Sequence, residues 1–106
     1  MLDKERARKI AIEYSKIVSS ALNPKSIFLF GSYVNGKPNE LSDIDVAVLV
    51  NDVNEADWYT TCVLLHRLRR EGDFIDIEPH LLNVRNDPSG FVEHVIKTGE
   101  VIYQAT

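Results

Sequence analysis

Two aspartates two residues apart, Asp43 and Asp45, are the side chains of this sequence whose type and spacing best suit chemistry. They begin an apolar run, Asp43–Val50, that is typical of a buried strand. Alternate side chains of a strand share a face, so we expect both carboxylates on one face and Ile44 on the other. Such a pair is costly beside a core unless a cation neutralises it, and Mg²⁺ binds one or two carboxylates plus phosphate oxygens. The pair therefore predicts a site for a metal-bound phosphate.

A Gly-Ser pair, Gly31 and Ser32, precedes the aspartates with ten residues between Ser32 and Asp43. It directly follows a second apolar run, Ser26–Phe30, which we predict to be a strand covered on both faces. A residue without Cβ lets backbone N–H groups approach a phosphate closely, and the serine hydroxyl adds a donor. Either pair alone is commonly just a turn. Together, at the edges of two predicted strands, they indicate a site for a metal-bound nucleoside triphosphate.

Two further carboxylates lie in the segment FIDIEPH, where we predict a strand over Asp73–Glu78. In that strand Asp76 and Glu78 would share a face, and a carboxylate within such an apolar run requires a reason. The other interpretation is that Asp76 is a charge on an edge strand that faces water. His80 follows this predicted strand, and we interpret it as a loop residue, although it could hydrogen-bond a ligand carboxylate or accept a proton.

The elements that would position these groups follow from hydrophobic periodicity and from turn residues. A first helix is predicted over Asp3–Leu22 and is ended by Asn23-Pro24, because the residue before a proline is driven out of helical conformation. The remaining predicted elements are a helix over about Glu55–Arg70, a short helix over Pro88–Lys97 and a terminal strand at Val101–Tyr103.

The composition limits the classes of function. A chain of 106 residues predicts one domain, residues 1–106, and its hydrophobic content of 44% is that of a globular protein. A net charge of −4 argues against binding to duplex nucleic acid, which requires a basic face. No apolar run reaches membrane-spanning length, and the single cysteine, Cys62, excludes an internal disulfide. We therefore expect a cytoplasmic protein that does not contact membranes.

The spacing Gly-Ser-x10-Asp-x-Asp resembles the signature of the DNA polymerase β-like nucleotidyltransferases. The short chain around it resembles the minimal nucleotidyltransferases of prokaryotes, the MNT proteins, from Ser26 to about Tyr103. The resemblance implies an α/β fold, with a small mixed β-sheet packed with helices, and transfer of AMP from ATP to a hydroxyl. One departure is Val34-Asn35, where many relatives carry Ala-Arg; this removes an arginine that could contact a phosphate or a partner.

The resemblance also implies a role for each candidate residue. Asp43 and Asp45 would hold two Mg²⁺ ions, about 3.5–4 Å apart, that clamp the attacking and leaving oxygens of an in-line displacement. Asp76, preferred to Glu78 by its place in the motif, would bind the catalytic ion and orient the acceptor's proton. Gly31 and Ser32 would bind the β- and γ-phosphates of ATP.

The partner implied by the resemblance is a helical HEPN-type toxin, against which the chain would act as an antitoxin. It would adenylylate a tyrosine of the toxin or simply cover it, and the chain would be part of a homo- or hetero-oligomer. Two alternatives stay open at this point. One is a non-catalytic binding module of the same fold, and the other is a transferase acting on a small molecule of the aminoglycoside type, which the lack of an acceptor domain disfavours.

Overall fold

Four strands and four α-helices make up the computed structural model, which describes residues 3–35, 43–51 and 53–105. The elements are α1 (Lys4–Leu22), β1 (Ser26–Phe30), α2 (Ser32–Asn35), β2 (Ile44–Val50), α3 (Glu55–Leu68), a 3₁₀ turn (Arg69–Glu71), β3 (Ile77–Asn83), α4 (Phe91–Thr98) and β4 (Glu100–Gln104). Two further candidates lie outside the described residues: Ser42, which could stabilise the turn before β2, and Lys37, which could replace the arginine that Val34-Asn35 lacks.

The strands form one sheet in the order β3-β2-β1-β4. Strand β1 pairs antiparallel with both β2 and β4, whereas β2 and β3 are parallel. The predicted small mixed sheet packed with helices is therefore confirmed. The register places Asp45 opposite Phe30 of β1 on one side and opposite Glu78 of β3 on the other.

Helix α1 begins and ends where its local chemistry predicts. The Asp3 carboxylate accepts a hydrogen bond from the Arg6 backbone N–H at 2.8 Å, which satisfies a donor that the first turn leaves free. Asn23 ends the helix in the left-handed conformation, with φ 52°, one residue before Pro24. This conformation is one that asparagine tolerates better than most residues.

Each face of the sheet has its own core. Helices α1 and α3 cover one face, and alternate residues of β2, from Ile44 to Val50, pack against them. Helix α4 covers part of the other face, where Val92 and Val95 contact the remaining β2 side chains, Ala47 and Leu49. Asp45 lies on this second face but nearer the start of β2, and 25% of its side chain is exposed. The strand thus carries a carboxylate at the edge of a core.

The predicted strand over Asp73–Glu78 is wrong, because the strand begins at Ile77 and continues to Asn83. The alternation that suggested an earlier start belongs to a turn. In that turn Phe74 is buried with its ring 5.4 Å from the Tyr14 ring, whereas Ile75 is 75% exposed. A turn that buries one apolar side chain and exposes the next reproduces the period of a strand over a few residues. His80 consequently lies within β3, so its interpretation as a loop residue is also wrong.

Smaller differences concern the ends of other elements. Helix α3 tightens into a 3₁₀ turn from Arg69. Residues 88–90 form a turn, so α4 begins at Phe91, and the Asp87 carboxylate accepts hydrogen bonds from the Val92 and Glu93 N–H groups in its first turn. Within the described ranges, no helix combines the length and the apolar character needed to cross a membrane.

Candidate active site

Asp45 lies at the centre of the candidate site. It is on β2, between β1 and β3, and its Oδ1 lies 3.2 Å from Nε2 of His80 on the neighbouring strand. The side chains of both residues are partly buried, with 25% of Asp45 and 31% of His80 exposed. The carboxylate is therefore held by a defined partner while part of it stays accessible to a ligand.

The Gly-Ser turn lies directly against this carboxylate. Gly31 follows β1 with φ 82°, a left-handed conformation that side chains rarely adopt. A Cβ at this position would lie 2.3 Å from Asp45 Oδ2, far inside van der Waals contact. Glycine is thus required for two independent reasons, and the two predicted halves of the site, Gly31-Ser32 and the aspartates, are adjacent in space.

Glu78 lies opposite Asp45 in the parallel pairing of β2 and β3. Its pKa is raised above the usual value, first by a hydrogen bond with the Asp43 carboxyl group, and then by burial and by the negative charges of Asp45 and Asp43. The charge of His80 acts in the opposite direction. The four side chains therefore form one electrostatically linked cluster, and a negative charge on Glu78 is disfavoured while no cation is bound.

His80 is the residue of this cluster that the sequence analysis did not place in the candidate site. It is two residues beyond Glu78 on β3, so the two side chains share a face of the sheet. Its ring packs edge-on against Phe30, with 5.1 Å between the ring centroids. The spacing of Glu78 and His80 is the signal that could have revealed it, but only with β3 placed four residues later than predicted.

The donor set fits a divalent cation. One ligand atom each from Asp45, Glu78 and His80 lie within 4.8 Å of one another. Two carboxylates are ligands for hard cations, and a neutral imidazole is the commonest nitrogen ligand of metals in proteins. The hydrogen bond between Glu78 and Asp43 brings a further carboxyl group to the edge of this group.

Asp76 occupies a different position from the one expected. It lies in the turn before β3, its backbone carbonyl accepts a hydrogen bond of 2.8 Å from the Ile44 N–H, and its side chain is exposed. Its charge acts on Tyr33, whose pKa is raised first by burial of the phenol and then by the charges of Asp76 and Asp43. The structure thus brings Glu78 to Asp45 and leaves Asp76 at the rim, and the catalytic role of Asp76 stays a prediction.

Comparison with known proteins gives the family. The family described as polymerase beta, nucleotidyltransferase, matches residues 13–106. No curated protein matches the sequence significantly.

Among solved structures, the chain is similar to a candidate nucleotidyltransferase from Sulfolobus solfataricus, with 22% identity and a TM-score of 0.67 over 92% of this chain and 80% of that one. It is also similar to a chain of a mutant MntA-HpeT toxin–antitoxin complex (20% identity, TM-score 0.61, 99% of this chain and 76% of that one). A third similar structure is a toxin–antitoxin with AMP-PNP (24% identity, TM-score 0.60, 90% and 74%). These likenesses show a shared fold. Since the family match spans nearly the whole sequence, the chain belongs to the polymerase β-like nucleotidyltransferases.

Proposed function

We propose that this chain transfers AMP from ATP to a hydroxyl group of a partner toxin, and so acts as a metal-dependent antitoxin. The observation that carries the proposal is the convergence of Gly31, Asp45 and Glu78, which come from three separate segments and meet at one end of the sheet. A phosphate-binding turn beside a carboxylate cluster is what nucleotidyl transfer requires, because the reaction depends on positioning and on neutralising phosphate charge.

On the nucleotide side, Gly31 and Ser32 would bind the triphosphate. The absence of a Cβ at Gly31 leaves room for backbone groups beside Asp45, and the partly buried Ser32 begins the short helix α2 next to it. The similar toxin–antitoxin structure with AMP-PNP supports ATP as the donor.

On the metal side, Asp43, Asp45 and Glu78 would supply carboxylate ligands. Bound divalent ions, expected as Mg²⁺, would stabilise the charge that develops on the phosphate and on the attacking and leaving oxygens. We assign the third carboxylate to Glu78 rather than to Asp76, since Glu78 is paired with Asp45 in register whereas Asp76 precedes the strand. Glu78 would also orient the acceptor hydroxyl and accept its proton.

The acceptor is proposed to be a side-chain hydroxyl of a helical HEPN-type toxin. The MntA-HpeT likeness supports a toxin as the partner, and the mutant form of that complex replaces two aspartates two positions apart, the spacing of Asp43 and Asp45. A net charge of −4 disfavours a nucleic acid as the acceptor.

The test is co-expression with the protein encoded next to this chain, followed by the intact mass of that neighbour. We expect a gain of one or more AMP units that is lost in Asp43→Asn/Asp45→Asn and in Glu78→Gln. The charge-matched control Asp57→Asn, at the exposed start of α3, should retain the modification. Because Asp76 is only at the rim, Asp76→Asn should reduce transfer much less than Glu78→Gln. A larger loss from Asp76→Asn would return the third carboxylate to that residue.

The same experiment separates the second candidate, a non-catalytic antitoxin. Val34-Asn35 in place of the Ala-Arg of many relatives favours this candidate, since an arginine that could contact phosphate is absent. If the neighbour is neutralised without a change of mass, and if neutralisation survives Asp43→Asn/Asp45→Asn, the chain acts by binding alone. A neighbour that is neither modified nor bound would refute both, and aminoglycoside-type small molecules would then be screened as acceptors.

A further inference from the structure

We propose that His80 is itself a metal ligand, so that the site binds a first-row transition ion such as Mn²⁺ or Zn²⁺ in preference to Mg²⁺. The inference rests on the proposed metal site, but it revises the ion expected there from Mg²⁺ and names the residue that selects the ion. A site built only from carboxylates would prefer such ions to Mg²⁺ less strongly.

The first argument for coordination by His80 is its position on β3. Glu78 and His80 alternate along β3 on the face that also carries Asp45, and Nε2 of His80 already lies 3.2 Å from Asp45 Oδ1. The three ligand atoms lie within 4.8 Å of one another. Ligand atoms bound at about 2.1 Å from one ion are about 3.0 Å apart when adjacent and at most about 4.2 Å apart when opposite, so shifts of about 1 Å or less by each side chain close the site.

The second argument for coordination is the orientation of the imidazole ring. The ring lies edge-on to Phe30, which in turn packs edge-on against Phe91 at 5.6 Å. These contacts support the ring from one side and leave Nε2 directed toward the Asp45 carboxylate. A ring held in this orientation loses less conformational freedom on binding an ion than an unsupported one, which favours coordination.

The third argument for coordination is the chemistry of the donor atoms. Mg²⁺ takes oxygen ligands almost exclusively and keeps several waters, whereas imidazole suits Zn²⁺, Fe²⁺ and other ions later in the first row. Affinity for a mixed nitrogen and oxygen site rises from Mn²⁺ toward Zn²⁺. A set of two carboxylates and one imidazole therefore shifts selectivity away from Mg²⁺.

The competing role for His80 is that of a positioning residue. In that case Nε2 would donate a hydrogen bond to Asp45 in the loaded protein and would orient the carboxylate without touching the ion. Both roles predict weaker metal binding when His80 is replaced, so affinity alone does not separate them. A direct readout of nitrogen coordination is needed.

That readout is pulsed electron paramagnetic resonance of Mn²⁺ bound to the full chain without nucleotide. We expect ¹⁴N modulation from a directly coordinated imidazole in the wild type and in the control His94→Gln, which replaces another histidine of this region that lies on α4 and outside the cluster. The modulation should disappear in His80→Gln. Absence of ¹⁴N coupling in the wild type would overturn the inference, whether or not the variant folds.

Selectivity gives a second measurement. In His80→Asp an oxygen ligand replaces the imidazole nitrogen. Titrations with Mn²⁺ and with Mg²⁺ should show that this variant lowers the ratio of Mn²⁺ to Mg²⁺ affinity by at least about tenfold, since even supporting residues of metal sites change affinity by 10–100-fold. An unchanged ratio would refute His80 as the selecting residue. If neither ion binds, or if binding survives Asp43→Asn/Asp45→Asn, the proposed metal site itself fails, which is a distinguishable outcome.

Discussion

Replacing Gly31 by alanine tests whether the Gly-Ser turn and the aspartate form one site. The new methyl group would meet Asp45 Oδ2 at 2.3 Å, and it would also have to occupy φ 82°. The chain contains a matched control, since Gly90 has a similar φ of 76° but no atom within 4 Å of a Cβ placed there. The difference between Gly31→Ala and Gly90→Ala therefore isolates the contact with Asp45 from the backbone cost.

The loss of folding stability in Gly31→Ala can be worked out from three contributions. Left-handed backbone costs an alanine about 1–2 kcal/mol, which both variants share. In Gly31→Ala the carboxylate must also move by roughly 1 Å to regain ordinary contact, which takes it off its rotamer at a cost of about 0.5–1.5 kcal/mol. The displacement also lengthens the 3.2 Å hydrogen bond to His80, which loses about half of its roughly 1 kcal/mol contribution. Added to the rotamer cost, this means that Gly31→Ala should lose about 1–2 kcal/mol more than Gly90→Ala.

Thermal unfolding and metal titration measure this directly. At about 4 °C per kcal/mol for a chain of this size, the midpoint of Gly31→Ala should fall about 4–8 °C below that of Gly90→Ala. Divalent-ion affinity should fall at least about tenfold in Gly31→Ala and stay unchanged in Gly90→Ala. In an Asp45→Ala background the extra loss of stability should vanish, because the atom that the methyl group meets is gone. Equal destabilisation by the two alanines, together with unchanged metal binding in Gly31→Ala, would refute the contact.

Two further predictions follow from the pKa shifts. The raised pKa of Glu78 means that the folded protein binds the Glu78 proton more tightly than the unfolded chain does, so the ionised carboxylate destabilises the fold above that pKa. Glu78→Gln should therefore raise the melting temperature of the metal-free protein near pH 7, and the gain should disappear as the pH falls below the usual carboxyl range. A gain that persists at acid pH would contradict this origin. Burial raises the pKa of Tyr14, whose hydroxyl donates a 2.6 Å hydrogen bond to the Leu65 carbonyl, so Tyr14→Phe should cost about 1–2 kcal/mol at pH 7 in denaturant unfolding. Because the unfolded chain releases that proton more readily, wild-type stability should decline as the pH rises above about 10, and Tyr14→Phe should decline less steeply; parallel curves would refute the assignment.

The predicted elements held where the local signal was unambiguous. The helix from residue 4 to 22 has its apolar stripe, its Asp3 cap and its Asn23-Pro24 stop in consecutive sequence, so short-range interactions fix both ends. Strand β1 matches its predicted bounds, Ser26–Phe30, for the same reason. The prediction failed at β3, where the burial of Phe74 against Tyr14 makes a turn resemble a strand. That contact joins residues 60 positions apart in the sequence and leaves no local trace.

For the candidate site, the sequence by itself determined the residue types: the Gly-Ser turn, the paired aspartates and a later carboxylate, recognisable because their chemistry and spacing are local properties of the chain. It also determined that Asp76 and Glu78 were the candidates for the last position. Tertiary structure supports our proposal of Glu78 over Asp76, since the parallel register of β2 and β3 places Glu78 opposite Asp45 and brings His80 within 3.2 Å of it. Register depends on which side chains of distant segments pack together, because shifting a strand by one residue moves every side chain to the other face. The sequence therefore carries the chemistry of the site, and only the fold determines which side chains meet there.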